Sequence, residues 1–415
     1  MEASPPTGLR TRASMALTFA TLACSALGAS VGLSPANADD QLSGGSIAKH
    51  ADHYLSARPE NEVYVGLPIG RPALLNIKSG ESVAIDAIAP DGSTNATLNP
   101  ESVFGLFGVQ PNEVLQDAKD FWTSIPTRPA YGGAHPLTGP IYIDGAQPGD
   151  TLEVQVLEVH SRVPYGINST APTRGVFSTT YPGWRNGDVP VDIPPVPAGA
   201  PGGLYPNQRQ HLYRTAKVKG REVVLFNNDI QIPTAPFMGV MGVAPASGVF
   251  VGPTPGSPPP LSGVQISNPP GTFGGNFDTK DLKAGSTLYL PVTQPGAQFY
   301  TGDGHTAQGG GEVSGGALET SLGGTFRFIL HKQPITTPLV EDKDNYYIMG
   351  IDYDLNRSMK LATANVVDFL IKEKGLTPAK AQSLASLAVD FKVAEAVDGT
   401  QIIEGVIPKS IFLKK

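Results

Sequence analysis

The chain has 415 residues, 40% of them hydrophobic and 16% charged, with a formal charge of −7. A mild acidic excess excludes the basic footprint of a nucleic-acid binder, and the length is enough for more than one core. Its 48 glycines and 39 prolines favour many turns and short strands over long helices, so the fold class is expected to be mainly β.

Arg10 and Arg12 precede an uncharged apolar and small-residue stretch, Met15 to Leu33, and Ala36-Asn37-Ala38 follows it. This is the pattern of a cleaved secretory signal over residues 1–38, so the expected localisation is secreted or periplasmic. The single cysteine, Cys24, lies inside the signal, which leaves the mature chain without a disulfide or a thiol nucleophile. No later stretch is apolar for long enough to span a bilayer.

Beyond the signal, three similar openings recur at Ser79–Ile85, Pro148–Val154 and Ala284–Leu290. Each places a turn glycine and two small polar residues before an alternating stretch. In the second, Leu152, Val154 and Val156 share one face and Glu153 and Gln155 the other, the period-two mark of a half-buried strand. Two proline runs, Pro190–Pro197 and Pro253–Pro260, cannot pair in a central strand and predict surface loops. The last 80 residues change character. Met359, Ala362, Val366, Phe369 and Leu370 recur at helical spacing up to the stop at Gly375. Thr377-Pro378 restarts a helix, and Val393 to Phe412 predicts a closing hairpin turning at Asp398-Gly399. The expected divisions are 39–245 (β), 246–335 (β, with a glycine-rich loop) and 336–415 (α+β).

No histidine pair has H-E-x-x-H spacing and no phosphate-binding glycine motif follows a strand, so any active site must be assembled from separated loops. The richest is Gly302 to Glu319, where Asp303, His305, Gln308, Glu312 and Glu319 sit among glycines that let backbone approach a ligand closely. The alternative is a flexible glycine loop with solvated charges. If the backbone is extended, Asp303 and His305 share a face and form a carboxylate–imidazole pair, leaving one ring nitrogen for a metal or a proton. Of Glu312 and Glu319, one is read as an activator of water. The other is read as a strand carboxylate paired with Arg327 or Lys332. Asn276 and Asp278, two apart at a strand start, point the same way; Asp278 is either a pocket carboxylate or a turn cap. His135 precedes a proline and opens another loop, and Asp150 after Pro-Gly is either a turn carboxylate or a site residue.

These residues resemble the acetamidase/formamidase family. The likeness runs from about Val114 to the C-terminus. It is carried by His135-Pro-Leu-Thr-Gly-Pro-Ile-Tyr, Gly145-Ala-Gln-Pro-Gly-Asp150, Pro236-Phe-Met-Gly-Val-Met-Gly-Val-Ala-Pro245, Gly274-Gly-Asn-Phe-Asp278, Leu290-Pro-Val, Pro295-Gly-Ala, Gly302-Asp-Gly-His305, Gly350-Ile-Asp-Tyr-Asp-Leu and Ile407-Pro-Lys-Ser-Ile-Phe. The resemblance implies a β-sandwich-like N-terminal domain, a small barrel-like β segment and an α+β end. It also implies hydrolysis of small linear or cyclic amides to acid and ammonia, with zinc in some members. On that reading the metal set is His305, Asp303 and His135, the catalytic set Glu312, Asp278 and Asn276, and the substrate-binding set Gln308, Gly309 and Gly311. Backbone amides of the glycine run, with Asn276, would hold the oxyanion. The expected cofactor is Zn²⁺ and the expected assembly a homo-oligomer. Where the family reads Gly-Asp-x-His-Ala-x-Gln-Gly-Asp-Gly-Glu, this chain has Thr306 for the alanine and Gly310 for the second aspartate. The missing carboxylate leaves a second reading open, a ligand-binding member without turnover.

Overall fold

The computed structural model describes residues 50–125, 135–183, 208–252 and 262–413, together with 185, 193, 194, 196, 197, 199–204, 254 and 255. The expected signal over 1–38, half of the first proline run and most of the second lie outside the described residues.

All three recurrent openings enter one nine-stranded sheet. Its order is His53–Leu55, Ser82–Asp86, Leu322–His331, Thr151–Ser161, Thr287–Pro291, Leu339–Glu341, Asn345–Asp352, Gln401–Pro408, Asp390–Glu395. Each opening turns on a glycine in the left-handed region, with φ of 99° at Gly80, 95° at Gly149 and 88° at Gly285, a conformation that a side chain would strain. The three strands so launched are near neighbours. Leu322–His331 pairs antiparallel with both Ser82–Asp86 and Thr151–Ser161, and the latter pairs with Thr287–Pro291. Leu152, Val154 and Val156 are buried as the alternation requires, and Glu153 on the opposite face meets His331 at 2.6 Å.

A second sheet runs Gly274–Asn276, Phe237–Val243, Phe299–His305, Pro136–Ile143, Glu62–Tyr64, with Leu75–Ile77 parallel to Pro136–Ile143. Met238, Val240, Leu137 and Phe299 of this sheet share one apolar core with Val154, Leu288, Phe326 and Phe328 of the first. This is a sandwich. The small barrel is not formed: each sheet ends in two edge strands that do not pair with each other among the described residues, and closure requires that pairing. The divisions expected at 245 and 335 fall inside one compact unit, Asp39–Lys415: strands of the first two stretches alternate in the nine-stranded sheet, and the four strands of the third continue it at one edge.

The C-terminal part follows its periodicity. Helix Leu355–Lys374 starts where the Asp354 side chain accepts from the Arg357 amide at 3.0 Å and stops at Gly375, φ 64°. Ala362, Val366 and Leu370 are buried, while Met359 lies exposed. Helix Pro378–Ala388 follows Thr377, and Asp390–Glu395 pairs antiparallel with Gln401–Pro408 as the closing hairpin. Among the described residues no helix is long and apolar enough to cross a membrane.

One buried carboxyl couples this core to pH. Thr138 Oγ1 stands 2.6 Å from Glu62 Oε1 and 2.7 Å from the Asp86 carbonyl oxygen. One hydroxyl hydrogen cannot serve both, so a protonated Glu62 supplies the second. Burial drives the Glu62 pKa up to about 8, against about 4.3 in an unfolded chain. Because the folded value is the higher, its contribution is complete below about pH 4 and is lost as pH rises through about 8, at up to about 1.4 kcal/mol per pH unit in between. Glu62→Gln keeps the donor at every pH. It should lose less stability than wild type between about pH 6 and about pH 8.5 in thermal melts; equal losses would show that Glu62 is not the proton source.

Candidate active site

The site is built on Gly239. This residue lies in strand Phe237–Val243, whose neighbour Phe299–His305 pairs Phe237 with His305 and Val240 with Gly302. The Gly239 carbonyl accepts from the amides of Phe277 at 3.0 Å and Asp278 at 3.3 Å, which pins the loop after Gly274–Asn276 against the sheet. Asp278 and Asp303 both adopt φ > 0, at 43° and 57°. A Cβ on Gly239 would lie 2.3 Å from Asp278 Oδ1, 2.6 Å from Asp303 Oδ2 and 2.9 Å from His305 Cε1. Three side chains from two segments therefore converge over one bare backbone position.

His305 is the hub. Its Nδ1 is 2.8 Å from Gln308 Oε1, and the Gln308 amide nitrogen donates to the Asp278 carbonyl. Gln308 Oε1 thus accepts a hydrogen bond from Nδ1–H, which leaves Nε2 facing the acids. Nε2 stands 3.3 Å from Asp303 Oδ2, 3.3 Å from Glu319 Oε2 and 4.0 Å from Glu312 Oε1. Glu319 is placed by its own main chain, whose amide bonds the Ile167 carbonyl at 2.9 Å. It is part of the site and not a strand carboxylate paired with Arg327 or Lys332. Lys332 pairs instead with Asp150 at 2.7 Å, and Asp150 also accepts from the Gln147 amide, so Asp150 closes a turn.

A further acidic flank comes from the closing hairpin. Glu395 Oε1 accepts from the amides of Val397 and Asp398, and Asp398 Oδ2 accepts from Asn276 Nδ2 at 2.5 Å. Burial alone would depress the His305 pKa. The Glu319 and Asp303 carboxylates more than offset that and hold it well above the usual histidine range. Burial likewise opposes ionisation of Asp303, but the His135 and His305 imidazoles win and keep it below the ordinary carboxylate range. Asp278, Glu312 and Glu395 go the other way, pushed well up by burial and by their acidic neighbours. Acids of opposite tendency within one site are the pattern proton-transfer chemistry uses.

Asp278, Asp303, His305, Glu312, Glu319, Asn276, Asp398 and His135 line a cavity of about 780 Å³. Sets whose ligand atoms lie within 4.8 Å of one another include Asp303–His305–Glu319 and Asp278–His305–Glu312. His135, expected in the metal set, belongs to neither. Its Nε2 is 3.9 Å from Asp303 Oδ2 and its buried Nδ1 has no hydrogen-bond partner, so it lines the cavity beside Asp303, outside the group that Glu319 completes.

The expected substrate-binding set is not assembled in this cavity. Gln308 holds His305 from behind. Gly309 is exposed and, with Gln308 and Gly310, lines a separate cavity of about 220 Å³. The Gly311 amide is spent on the Ala394 carbonyl at 2.8 Å, that of Glu312 on Gly309 and that of Gly315 on Glu312. Those amides cannot form an oxyanion hole, because a hydrogen already donated is not free for a ligand. Gly310 is exposed and lies beside Glu312 in the lining of the smaller cavity. Thr306 is buried with its hydroxyl 3.3 Å from Ser161 Oγ. Glu395, Asp398 and Gly239 escaped sequence reasoning: the first two read as hairpin-turn residues, and the third as one more small residue in an apolar strand.

Fold and site define a mainly β protein with a buried imidazole ringed by carboxylates. Residues 264–414 match the model of the acetamidase/formamidase family. A Schizosaccharomyces pombe protein named for formamidase is 27% identical over 230 residues, 45% of this chain and 49% of that protein. An acetamidase of Mycolicibacterium smegmatis is 26% identical over 273 residues, 55% of this chain and 61% of that one. The chain thus spans about half to three fifths of the length of these curated relatives. Two solved structures share the fold. An acetamidase from Yersinia enterocolitica superposes with TM-score 0.64 at 22% identity, covering 87% of this chain and 93% of that one. An acetamidase from Bacillus halodurans gives 0.62 at 22%, covering 86% and 98%. Over residues 264–414, then, the chain is similar to the acetamidase/formamidase family, and its fold is that of the two solved acetamidases.

Proposed function

We propose that the protein is an exported, homo-oligomeric hydrolase that cleaves the C–N bond of small linear or cyclic amides, yielding a carboxylic acid and ammonia. One observation carries this: two acids and an imidazole meet over Gly239 on the wall of the large cavity, with Glu312 and Glu319 closing the ring.

Asp303, His305 and Glu319 fit a zinc ion. They offer one imidazole nitrogen and two carboxylates, the donor types zinc accepts, and Asp303 Oδ1 and Glu319 Oε2 are buried without hydrogen-bond partners. Bound there, Zn²⁺ would supply Lewis acidity and a water of pKa lowered from 15.7 toward about 7. The chain's own groups do the rest. Gln308 holds Nδ1 of His305 so that Nε2 faces the acids. Glu312, at 4.0 Å from that nitrogen and open to the cavity, takes the proton of the attacking water and returns it to the leaving nitrogen. Asn276 keeps one amide hydrogen beyond the one given to Asp398, the remaining side-chain donor for an oxyanion.

Protein recovered from the exported fraction should begin at Asp39 and release ammonia from formamide, acetamide or a lactam. The release should stop on chelation and return with zinc. Zinc-replete protein that frees no ammonia from any of them would sink the hydrolase reading; sedimentation at the single-chain mass would remove the oligomer.

A further inference from the structure

We propose that the preferred substrates are half-amides of short dicarboxylic acids, whose free carboxylate is received by Arg174 and Ser169 in the main cavity. The inference rests on the amide-hydrolase reading above and names its substrate class. Among the described residues lining that cavity, Arg174 is the sole lysine or arginine. It is partly buried, and its partners are main-chain carbonyls. Nη1 donates to Ser169 at 3.0 Å and Nη2 donates to Gly315, while no acid of the described residues pairs with it. A guanidinium has five N–H donors, so three remain. Charge withdrawn from water is ordinarily paired, and the planar fork matches a carboxylate.

A second observation comes from the neighbouring strand. Ser169, in Tyr165–Thr170, lines the same cavity and is 2% exposed, yet its Oγ has no hydrogen-bond partner. Buried hydroxyls are rarely left so. A carboxylate held by Arg174 would accept the hydrogen that Ser169 now keeps.

Both groups stand close to the reacting centre. Arg174 Nη2 and Glu319 Oε1 lie 3.3 Å and 3.6 Å from the point that a Cβ on Gly316 would occupy. Glu319 Oε2 is in turn 3.3 Å from His305 Nε2. Glu319 Oε1 accepts from the Ala317 amide at 2.8 Å instead of pairing with the guanidinium. A molecule of a few carbons therefore reaches from the His305 centre to Arg174. The corner carrying Arg174 is fixed against the glycine run. The Val176 amide bonds the Val313 carbonyl at 3.0 Å, and a Cβ on Gly175 would lie 2.2 Å from that oxygen. Size agrees as well. At about 780 Å³ the cavity falls in the range of about 300–1,000 Å³ that takes ligands of drug size, far beyond formamide. Hydrolysis adds one water across the C–N bond: hydroxyl to the acyl carbon, hydrogen to the leaving nitrogen. The products are the dicarboxylate and ammonia.

The test uses the whole mature, zinc-replete protein and compares oxamate, malonamate, succinamate and glutaramate with uncharged amides of matched length. For the best half-amide, kcat/KM should exceed that of its neutral counterpart by about 10- to 100-fold, the worth of a hydrogen bond to a charged group. Arg174→Gln should erase this ratio, chiefly through KM, and Arg174→Lys, with the charge but not the fork, should keep part of it. A merely structural tie between Ser169 and Gly315 would slow both substrates alike and leave the ratio standing, which would overturn the proposal. A wild type indifferent to the carboxylate would overturn it too. Should the Arg174 variants not fold, Ser169→Ala, which removes only a hydroxyl, should still lower the ratio. Calorimetry with succinate and butyrate needs no turnover: wild type should bind succinate more tightly, and equal affinities would count against the subsite. A protein that frees no ammonia yet prefers succinate would lose the hydrolase reading and keep the carboxylate subsite, so the two failures are distinguishable.

Discussion

Glu312→Gln should lower ammonia release by about 10²- to 10⁴-fold, the range that loss of a general acid–base group costs, while leaving the fold intact. The amide has the volume of the carboxylic acid, so the packing around position 312 is kept. It carries no titratable proton and cannot take one from water. Asp303 and Glu319 sit against Nε2, and Asp278 is turned over Gly239. Replacing an acid that is crowded by Asp398, Glu319 and Asp303 also removes repulsion, so the melting temperature should hold or rise. Zinc content should stay at the wild-type value, because the group of Asp303, His305 and Glu319 is untouched. Activity within a few-fold of wild type would remove Glu312 from the mechanism.

The sequence reached the parts of this structure that are written locally. Turn glycines followed by alternation located three strands of one sheet, since both features belong to a single short segment. The helix ending at Gly375 and the hairpin turning at Asp398 were legible for the same reason. Asp303 and His305 were found because they are two apart on one strand. What stayed hidden depends on pairing between distant segments. Glu319 joins His305 through bridges to Ile167 and His305 itself, and Glu395 and Asp398 arrive only because Gly311 bridges the closing hairpin. A divided chain was read from shifts in composition, but such shifts mark loops and helices; they do not report that strands of 39–245 and 246–335 interleave in one sheet that 336–415 continues. The glycine run was overread for its amides, because a sequence does not show which donors are already engaged.

Gly239→Ala should be as damaging as loss of Glu312, although it adds one methyl group and removes nothing. The new carbon would lie 2.3 Å from Asp278 Oδ1 and 2.6 Å from Asp303 Oδ2, separations that atoms do not tolerate. The backbone cannot yield, since the Gly239 carbonyl already receives the Phe277 and Asp278 amides and its strand is paired on both sides. The carboxylates must therefore move. A displacement of about 1 Å at a reacting group costs about 10²-fold in rate, and overpacking of this kind about 1–3 kcal/mol of stability. The two effects separate by experiment: melting temperature reports the strain, while zinc content and ammonia release report the displaced ligands. Because Asp303 is shared between the clash and the zinc group, zinc content should fall along with activity. A Gly239→Ala protein that keeps its zinc and hydrolyses amides at the wild-type rate would show that the reaction does not take place over this strand.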